Sequence, residues 1–305
     1  NESGTHSMYP HGFRYHRAAS LQEAVSMLAE LGEDAKLLAG GQSLIPLMKL
    51  RLSSPSHLVD LNFVPDVSHI RRSNGDIKVG AMARHAELAA SDAIRAIPLL
   101  HDCAAGIADV QVRNRGTIGG SLAEADPSGD WGAVLLALPA KVRCIGPGGE
   151  RTIAISDFFL DAYTSALAAG EIVREIVVQA PKGAAGGAYV ALKRCAPVYA
   201  TASVAAQLSM NDRATCSEAR IVLGCVGLTA IRARAAEDEL AGKELTGQTI
   251  ARAAEAAMAA ADPQPDMRGS VDYKRALVRA LTRRAIDVAL RRSRGEALEG
   301  GHIYA

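Results

Sequence analysis

Gln111-Val-Arg-Asn-Arg-Gly-Thr-Ile-Gly-Gly-Ser-Leu-Ala-Glu-Ala-Asp-Pro-Ser-Gly-Asp-Trp131 carries two signals in succession. The β-type pair Thr117-Ile118 runs into the paired glycines Gly119-Gly120, followed by Ser121. A backbone free of Cβ atoms at such a turn lets amides approach an anion closely. Asp126 and Asp130 then stand at the mouth of a predicted helix, Asp126 to Leu138, entered through Pro127. Asp126 or Ser128 suits helix capping, and a carboxylate here equally suits hydrogen bonds from the ribose or ribityl hydroxyls of a dinucleotide. The two roles can coexist.

Upstream, Lys36-Leu37-Leu38-Ala39-Gly40-Gly41-Gln42-Ser43-Leu44 repeats the arrangement: a short apolar run, a glycine pair, then a helical run from Leu44 to Leu52 with Pro46 in its first turn. Two such loops in different parts of the chain point to a two-sided cradle for a pyrophosphate. Neither is a G-x-G-x-x-G fingerprint, and no G-x-x-x-x-G-K-[ST] occurs, so Rossmann and P-loop readings lose support.

Around these loops the chain alternates. Ser20 and Glu23 form an S-x-x-E capping box ahead of Leu21, Ala24, Val25, Leu28 and Leu31 at helical spacing, and Gly32 supplies the stop. His57 to Leu61 reads as a strand that closes a first unit. A second unit follows with strand Ile77 to Met82, helix Pro98 to Ala108, and strands Lys141 to Ile145 and Arg151 to Ile155 joined by a hairpin turn at Gly146-Pro147-Gly148-Gly149. Lys182 to Gly187 reads as a Gly/Ala-rich joint. Beyond it come strands at Ala202 to Met210 and Ser217 to Val226, then helices around Leu240, Ile250 to Ala261 and Val271 to Leu290.

Composition removes several classes of function. Lys+Arg 34 against Asp+Glu 33 leaves a formal net charge of +1, which builds no one-signed field for nucleic acid or an anionic membrane. Mean hydropathy is +0.06, and no uninterrupted apolar run reaches the roughly 18 residues needed to span a bilayer. Four Phe, one Trp and seven Tyr are too few for rows of base-stacking rings. The basic residues of the last helix read as a solvated or subunit-facing surface. Cys103, Cys144, Cys195, Cys216 and Cys225 stand at no metal-ligand spacing, so the chain by itself is expected to hold no metal; all five read as reduced, buried structural thiols of a cytoplasmic protein. Asn1 to Ser7 read as a lead outside the fold, with Met8 a plausible initiator. His69, His85 and His101 have no partner at metal spacing, Trp131 reads as core, and Arg113 and Arg115 face either phosphate or a partner.

The two glycine motifs resemble a family. Leu37 to Leu52 with His57 to Asn62, together with Gln111 to Trp131, closely resemble the FAD-binding medium subunit of the molybdenum hydroxylases, the group of aerobic carbon monoxide dehydrogenase and the xanthine dehydrogenases. Gly224 to Leu245 and Tyr273 to Leu281 resemble that subunit's C-terminal domain, so the likeness runs from Phe13 to about Arg292. It implies an α+β chain: a vanillyl-alcohol-oxidase (PCMH)-type FAD-binding domain of two α/β subdomains, 8–63 and 64–181, plus a C-terminal α+β domain, 182–300, with an antiparallel sheet and helices over the flavin.

Carried over, Lys36, Leu37, Leu38, Ala39, Gly40, Gly41, Gln42, Ser43 and Leu44 would wrap the pyrophosphate and flavin side, with Thr117, Gly119, Gly120 and Ser121 closing over the phosphates. Asp130, with Asp126 on the same loop, matches the acidic residue turned to the cofactor. Ile172 and Val173 fall at apolar contacts near adenine or flavin, and Tyr199 against the isoalloxazine ring. No residue takes a catalytic or metal-ligating role. Gln42 stands where covalent relatives carry a histidine, and a carboxamide forms no flavin bond, so FAD is expected to be non-covalent. Val190 stands where many relatives carry a lysine, with Lys193 and Arg194 just beyond, which leaves open the basic group beside the flavin.

The resemblance implies an electron-transfer subunit that receives electrons from [2Fe–2S] clusters and passes them through FAD to an external acceptor. Molybdopterin and the clusters would lie only in a large molybdopterin subunit and a small iron–sulfur subunit, assembled as a dimer of heterotrimers, with no nucleic-acid partner. Two alternatives remain at this stage: a stand-alone flavin oxidase or dehydrogenase of the same fold, and a nucleotide-binding module without redox activity.

Overall fold

The computed structural model describes residues 9–211 and 215–304; the lead Asn1 to Ser7 and Met8 lie outside them. Three larger sheets follow one another along the chain, and a two-stranded one sits within the second unit. The first unit contains β1 (Arg14–Arg17), α1 (Leu21–Leu31), β2 (Ala35–Leu38), α2 (Leu44–Lys49) and β3 (His57–Asp60), with β3 between β1 and β2 and both pairings parallel. Ser20 Oγ accepts from the Glu23 amide at 3.1 Å and a Glu23 oxygen accepts from the Ala19 amide at 2.6 Å, while Gly32 ends α1 at φ 69°. The polar strand β1 escapes a hydrophobic reading because it is an edge strand paired only to β3.

The middle unit holds β4 (Ile70–Ser73), β5 (Asp76–Gly80), α3 (His85–Ala90), α4 (Asp92–Arg95), α5 (Pro98–Gly106), α6 (Val110–Arg115), α7 (Ile118–Glu124), α8 (Asp130–Leu136), β6 (Ala140–Gly146), β7 (Gly149–Ala154), the small pair β8 (Phe159–Asp161) and β9 (Thr164–Ser165), and β10 (Ile172–Gln179). Its five-stranded sheet runs β4-β5-β10-β6-β7, and Gly146 pairs with Gly149 across the expected tight hairpin. The core beneath is mainly apolar, with Trp131, Phe158, Leu99 and Leu135 fully enclosed.

The third unit comprises β11 (Ala184–Lys193), β12 (Ala202–Met210), β13 (Cys216–Gly224), β14 (Ile231–Arg232), α9 (Arg234–Leu240), α10 (Gly247–Ala260), α11 (Val271–Ser293) and β15 (Gly301–Tyr304). β11 to β14 are antiparallel neighbours, and β15 adds in parallel on the far side of β11. The helices cover one face. Across the other, Tyr189, Ala191, Ala205 and Val222 enter the core of the middle unit. Arg292 at the end of α11 locks the two together through a buried double contact with Asp102 of α5 (2.6 and 3.0 Å), and Asp102 also accepts the Tyr189 amide at 3.1 Å.

Three local expectations change. Thr117 is extended and bridged to Arg84, but Ile118 is already helical: Thr117 caps α7, so Gly119-Gly120 form that helix's first turn and not a turn before it. The helix expected from Asp126 begins at Asp130, because Asp126 accepts the Ser128 amide at 2.8 Å and holds residues 126–129 as a turn with Gly129 at the N-cap. The joint Lys182 to Gly187 is mostly strand: Ala184 onward belongs to β11, and Gly186 is small because the α11 backbone at Ala289 and Ser293 lies directly on it.

Candidate functional site

A cavity of about 650 Å³ opens where the three units meet, within the range of clefts that enclose a cofactor (~300–1,000 Å³). Its first wall runs from β2 into the start of α2: Lys36, Leu37, Ala39, Gly40, Gly41, Gln42, Ser43 and Leu44. Its second is the α7 region with Thr117, Gly119, Gly120, Ser121, Asp126 and Asp130, backed by Ile172 and Val173 at the start of β10. The third unit contributes Lys193, Pro197, Val198 and Tyr199. The candidate residues from sequence thus gather in one place, except Leu38, whose Cδ1 is tucked under Gly41, 3.2 Å from where a Cβ there would stand.

The two glycine loops are built differently. Among the described residues, the amides of Gly40, Gly41, Gln42 and Ser43 donate to no protein acceptor. Gly41 sits at φ 73°, a left-handed conformation that a side chain resists. Gly40 is small for another reason: a Cβ would overlap Arg115 O and come 2.8 Å from Gly116 Cα, so the first loop rests on the second, backbone against backbone.

In α7 the amides are already spent, contrary to the expectation of a second amide cradle. Ile118 N donates to Ala83 O (3.1 Å), Gly119 N to Ala81 O (2.9 Å) and Gly120 N to Thr117 Oγ1 (3.1 Å). Gly119 is small because Ala81 presses on it, with its Cα 2.9 Å from the position of a Cβ. This side therefore offers hydroxyl donors, Thr117 and Ser121, in place of bare amides. Arg84 stitches the sides together, its guanidinium donating to Arg115 O and to Asn62 Oδ1, while Asn62 Nδ2 donates to Ala39 O at 2.9 Å.

Of the charged side chains on the walls, Asp130 and Lys193 are buried, Glu124, Asp126 and Glu171 half-buried, and Lys36 exposed. Asp130, 6 % exposed, accepts from Tyr189 Oη at 2.6 Å, and burial first, then Asp130, pushes that phenol far above its ordinary range. Lys193, 1 % exposed, donates to Gly106 O at 2.7 Å and forms no ion pair with a carboxylate among the described residues. A buried ammonium with one carbonyl partner keeps two N–H groups and an uncompensated charge for whatever fills the cavity. At the mouth, burial and Asp126 raise the pKa of Tyr199, burial and the same carboxylate that of Tyr163, and burial and Asp126 that of Glu124. Arg268 reaches in from the third unit to Ser128 Oγ (3.1 Å) and Ala200 O (3.2 Å).

Several residues were invisible to sequence reasoning. His85 lines the wall, and Trp131, a core residue as expected, donates its indole N–H to His85 Nδ1 at 3.3 Å. The Arg113 guanidinium donates to Ile107 O (2.8 Å) and Ala108 O (2.9 Å). Cys195 is exposed and Cys225 half-buried, against the expectation of five buried thiols; all five are free. No signal in the chain foretells the pairing of His85 with Trp131, which stands 46 positions away. Among the described residues no group of three His, Cys, Asp or Glu could hold a metal ion, and no helix is long and apolar enough to cross a membrane.

Residues 11–181 match the family model described as the FAD binding domain in molybdopterin dehydrogenase, and residues 187–289 that of the CO dehydrogenase flavoprotein C-terminal domain. The chain is 42 % identical over 283 residues to the carbon monoxide dehydrogenase medium chain of Hydrogenophaga pseudoflava, covering 92 % of this chain and 98 % of that one. It is equally 42 % identical over 289 residues to subunit alpha of the 6-hydroxypseudooxynicotine dehydrogenase complex of Paenarthrobacter nicotinovorans (94 % and 97 % covered). Among solved structures, carbon monoxide dehydrogenase from Hydrogenophaga pseudoflava superimposes with a TM-score of 0.90 at 43 % identity, over 93 % of this chain and 99 % of that one. Quinoline 2-oxidoreductase from Pseudomonas putida 86 gives 0.88 at 37 % identity, with the same coverage.

Proposed function

Since the chain belongs to the family of FAD-binding medium subunits of the molybdenum hydroxylases, with the α+β flavoprotein fold of that family, we propose that its cavity holds FAD non-covalently as the electron-transfer site of a multi-subunit dehydrogenase. The observation that carries this reading is the run of four unspent amides at Gly40 to Ser43, facing the Thr117 and Ser121 hydroxyls across a cleft of cofactor size. An anionic diphosphate suits that donor set. Gln42 lies on the wall and its carboxamide forms no bond to a flavin.

In this reading the units divide as 8–63, 64–181 and 182–300, supported by the three successive sheets. The Gly40 loop, with Lys36 to Leu44, binds the diphosphate through backbone N–H groups. Thr117 and Ser121 donate from the opposite side, and Asp126 and Asp130 accept from hydroxyls of the sugar and ribityl chain. Leu38 acts from beneath, packing under Gly41. Ile172 and Val173 supply an apolar floor that excludes water. Tyr199, held beside Asp126, covers the mouth, and the Lys193 ammonium balances negative charge within the cavity.

Bound there, FAD would relay electrons between the iron–sulfur clusters of a small partner, fed by a molybdopterin centre in a large one, and an external acceptor. A dimer of such heterotrimers is the proposed assembly, and the free thiols are compatible with a cytoplasmic setting. Relatives with near-complete coverage are named for carbon monoxide, 6-hydroxypseudooxynicotine and glyceraldehyde. Those different names support placing substrate choice in the large partner. Full-length likeness to medium chains favours this reading over a stand-alone oxidase.

The test is direct. Protein purified alone is expected to show flavin absorbance and to release FAD into the supernatant on heating, and the deflavinated chain to rebind FAD at micromolar concentration. Purification from the native host is expected to bring down a large and a small subunit with molybdenum and iron. Absence of both FAD and FAD uptake refutes the flavin reading, and full turnover by an isolated chain refutes the subunit reading.

A further inference from the structure

We propose that His85 is a cofactor-binding residue, held by Trp131 in the tautomer that donates a hydrogen bond from Nε2 to an oxygen of the bound FAD. The proposal rests on the flavin reading above and adds to it a contact from a residue in neither glycine motif.

The indole N–H of Trp131 is donor only, so its hydrogen bond to Nδ1 requires a bare lone pair on that atom. The single proton of a neutral imidazole must then sit on Nε2. Neutrality follows from place: the residue is 4 % exposed, and burial pushes its pKa down to about 4. The charges that bear on it offset one another, Asp130 favouring the cation, Arg84 and Arg113 opposing it. At neutral pH the ring is therefore a fixed, uncharged donor.

The ring has little freedom to turn away. Its own amide donates to Gly116 O at 3.1 Å, and Arg84 bridges to Thr117, which pins the start of α3 beside the start of α7. The Nε2 edge lies against Gly116, where a Cβ would come within 2.9 Å of both Nε2 and Cδ2. Only glycine admits the imidazole there. The ring forms part of the cavity wall, and among the described residues no protein acceptor meets Nε2. With Nδ1 taken by Trp131, Nε2 is the ring's remaining polar atom, and it is reached from the cavity rather than sealed in the core. The missing acceptor belongs to the ligand, and on a wall lined by amides and hydroxyls the matching chemistry is an oxygen of the diphosphate and ribityl chain. A purely structural His85 would serve only to satisfy the Trp131 indole, and would be indifferent to the ligand.

Two readouts separate these roles in the deflavinated full-length chain. In FAD titrations at pH 7.5, His85→Leu is expected to raise the Kd about tenfold, the size of one lost hydrogen bond to a partly charged acceptor, whereas His85→Gln, which still presents an N–H at similar reach, stays within about threefold. Trp131→Phe, which frees the tautomer, is expected to fall between them. Second, in wild-type protein labelled with 15N-histidine and assigned through His85→Gln, Nε2 is expected to be the protonated nitrogen before FAD is added. On addition its proton shifts downfield and exchanges more slowly. Unchanged affinity in His85→Leu, a proton found on Nδ1, or an Nε2 proton blind to FAD overturns the assignment, and the wild-type spectrum decides even where His85→Leu does not fold. Wild-type protein that takes up no FAD overturns the flavin reading itself, and this assignment with it.

Discussion

Replacing Gly40 by alanine tests the claim that one glycine loop is seated on the other. Gly40 is not among the residues at positive φ, so alanine meets no backbone strain and the substitution probes space alone. Its Cβ would overlap Arg115 O and stand 2.8 Å from Gly116 Cα and 3.0 Å from Arg115 C. Carbon atoms in contact settle at about 3.5–4.0 Å, so the loops must part by roughly 0.7–1 Å. Overpacking of this kind costs about 1–3 kcal/mol of stability. Separation by that distance also removes one or two donors from reach of a diphosphate, at about 1.5–3 kcal/mol each for hydrogen bonds to charged groups, or roughly ten- to a hundredfold in Kd for one. The assay is calorimetric titration of deflavinated protein with FAD beside a thermal melt, with Gly148→Ala as control, since a Cβ at Gly148 meets nothing within 4 Å. A folded Gly40→Ala protein that binds FAD within twofold of wild type refutes the seating argument.

Lys193→Met is expected to act with opposite signs on the two states, raising the melting temperature of FAD-free protein by removing a buried unpaired cation and shrinking the stabilisation FAD confers; the same sign in both states refutes the counter-charge role. Arg292→Met strands Asp102 without its buried partner and is expected to cost about 3–5 kcal/mol, seen in chemical denaturation; a change under about 1 kcal/mol contradicts the lock between α5 and α11. Asp266 is pushed up by burial but more strongly held down by Lys274 and Arg268, to about 2, below the 3.8 of an unfolded chain. Its contribution is therefore present above pH ~4 and fades as pH falls toward ~2, so Asp266→Asn is expected to destabilise at pH 7 and converge with wild type in acid. A gap in stability that persists at pH 2 counts against this pairing.

Local chemistry was readable where it was local. The Ser20-Glu23 cap, the Gly146–Gly149 hairpin and the long helix α11 depend on neighbours in the chain, and they form where spacing puts them. The glycines were a harder case. Gly119, Gly120 and Gly186 look alike in sequence, yet two open a helix and the third lets a helix rest on a strand. Glycine announces close approach without saying what approaches. The candidate site was legible through its two loops and its aspartates. His85 and Lys193 were not, because the partners that give them meaning, Trp131 and Gly106, lie 46 and 87 positions away.

The cavity is walled by all three units, and its first wall meets the others through few direct bonds, chiefly those of Arg84 and Asn62. A molecule seated there is a fourth structural member. Whatever free energy it gains by touching all the walls is shared among the contacts between them, about 2.7 kcal/mol at a ligand concentration one hundred times its Kd. In a cell short of flavin, the abundance of this chain is accordingly expected to track the supply of cofactor, since a loss of that size in stability shifts more of the chain toward proteolysis.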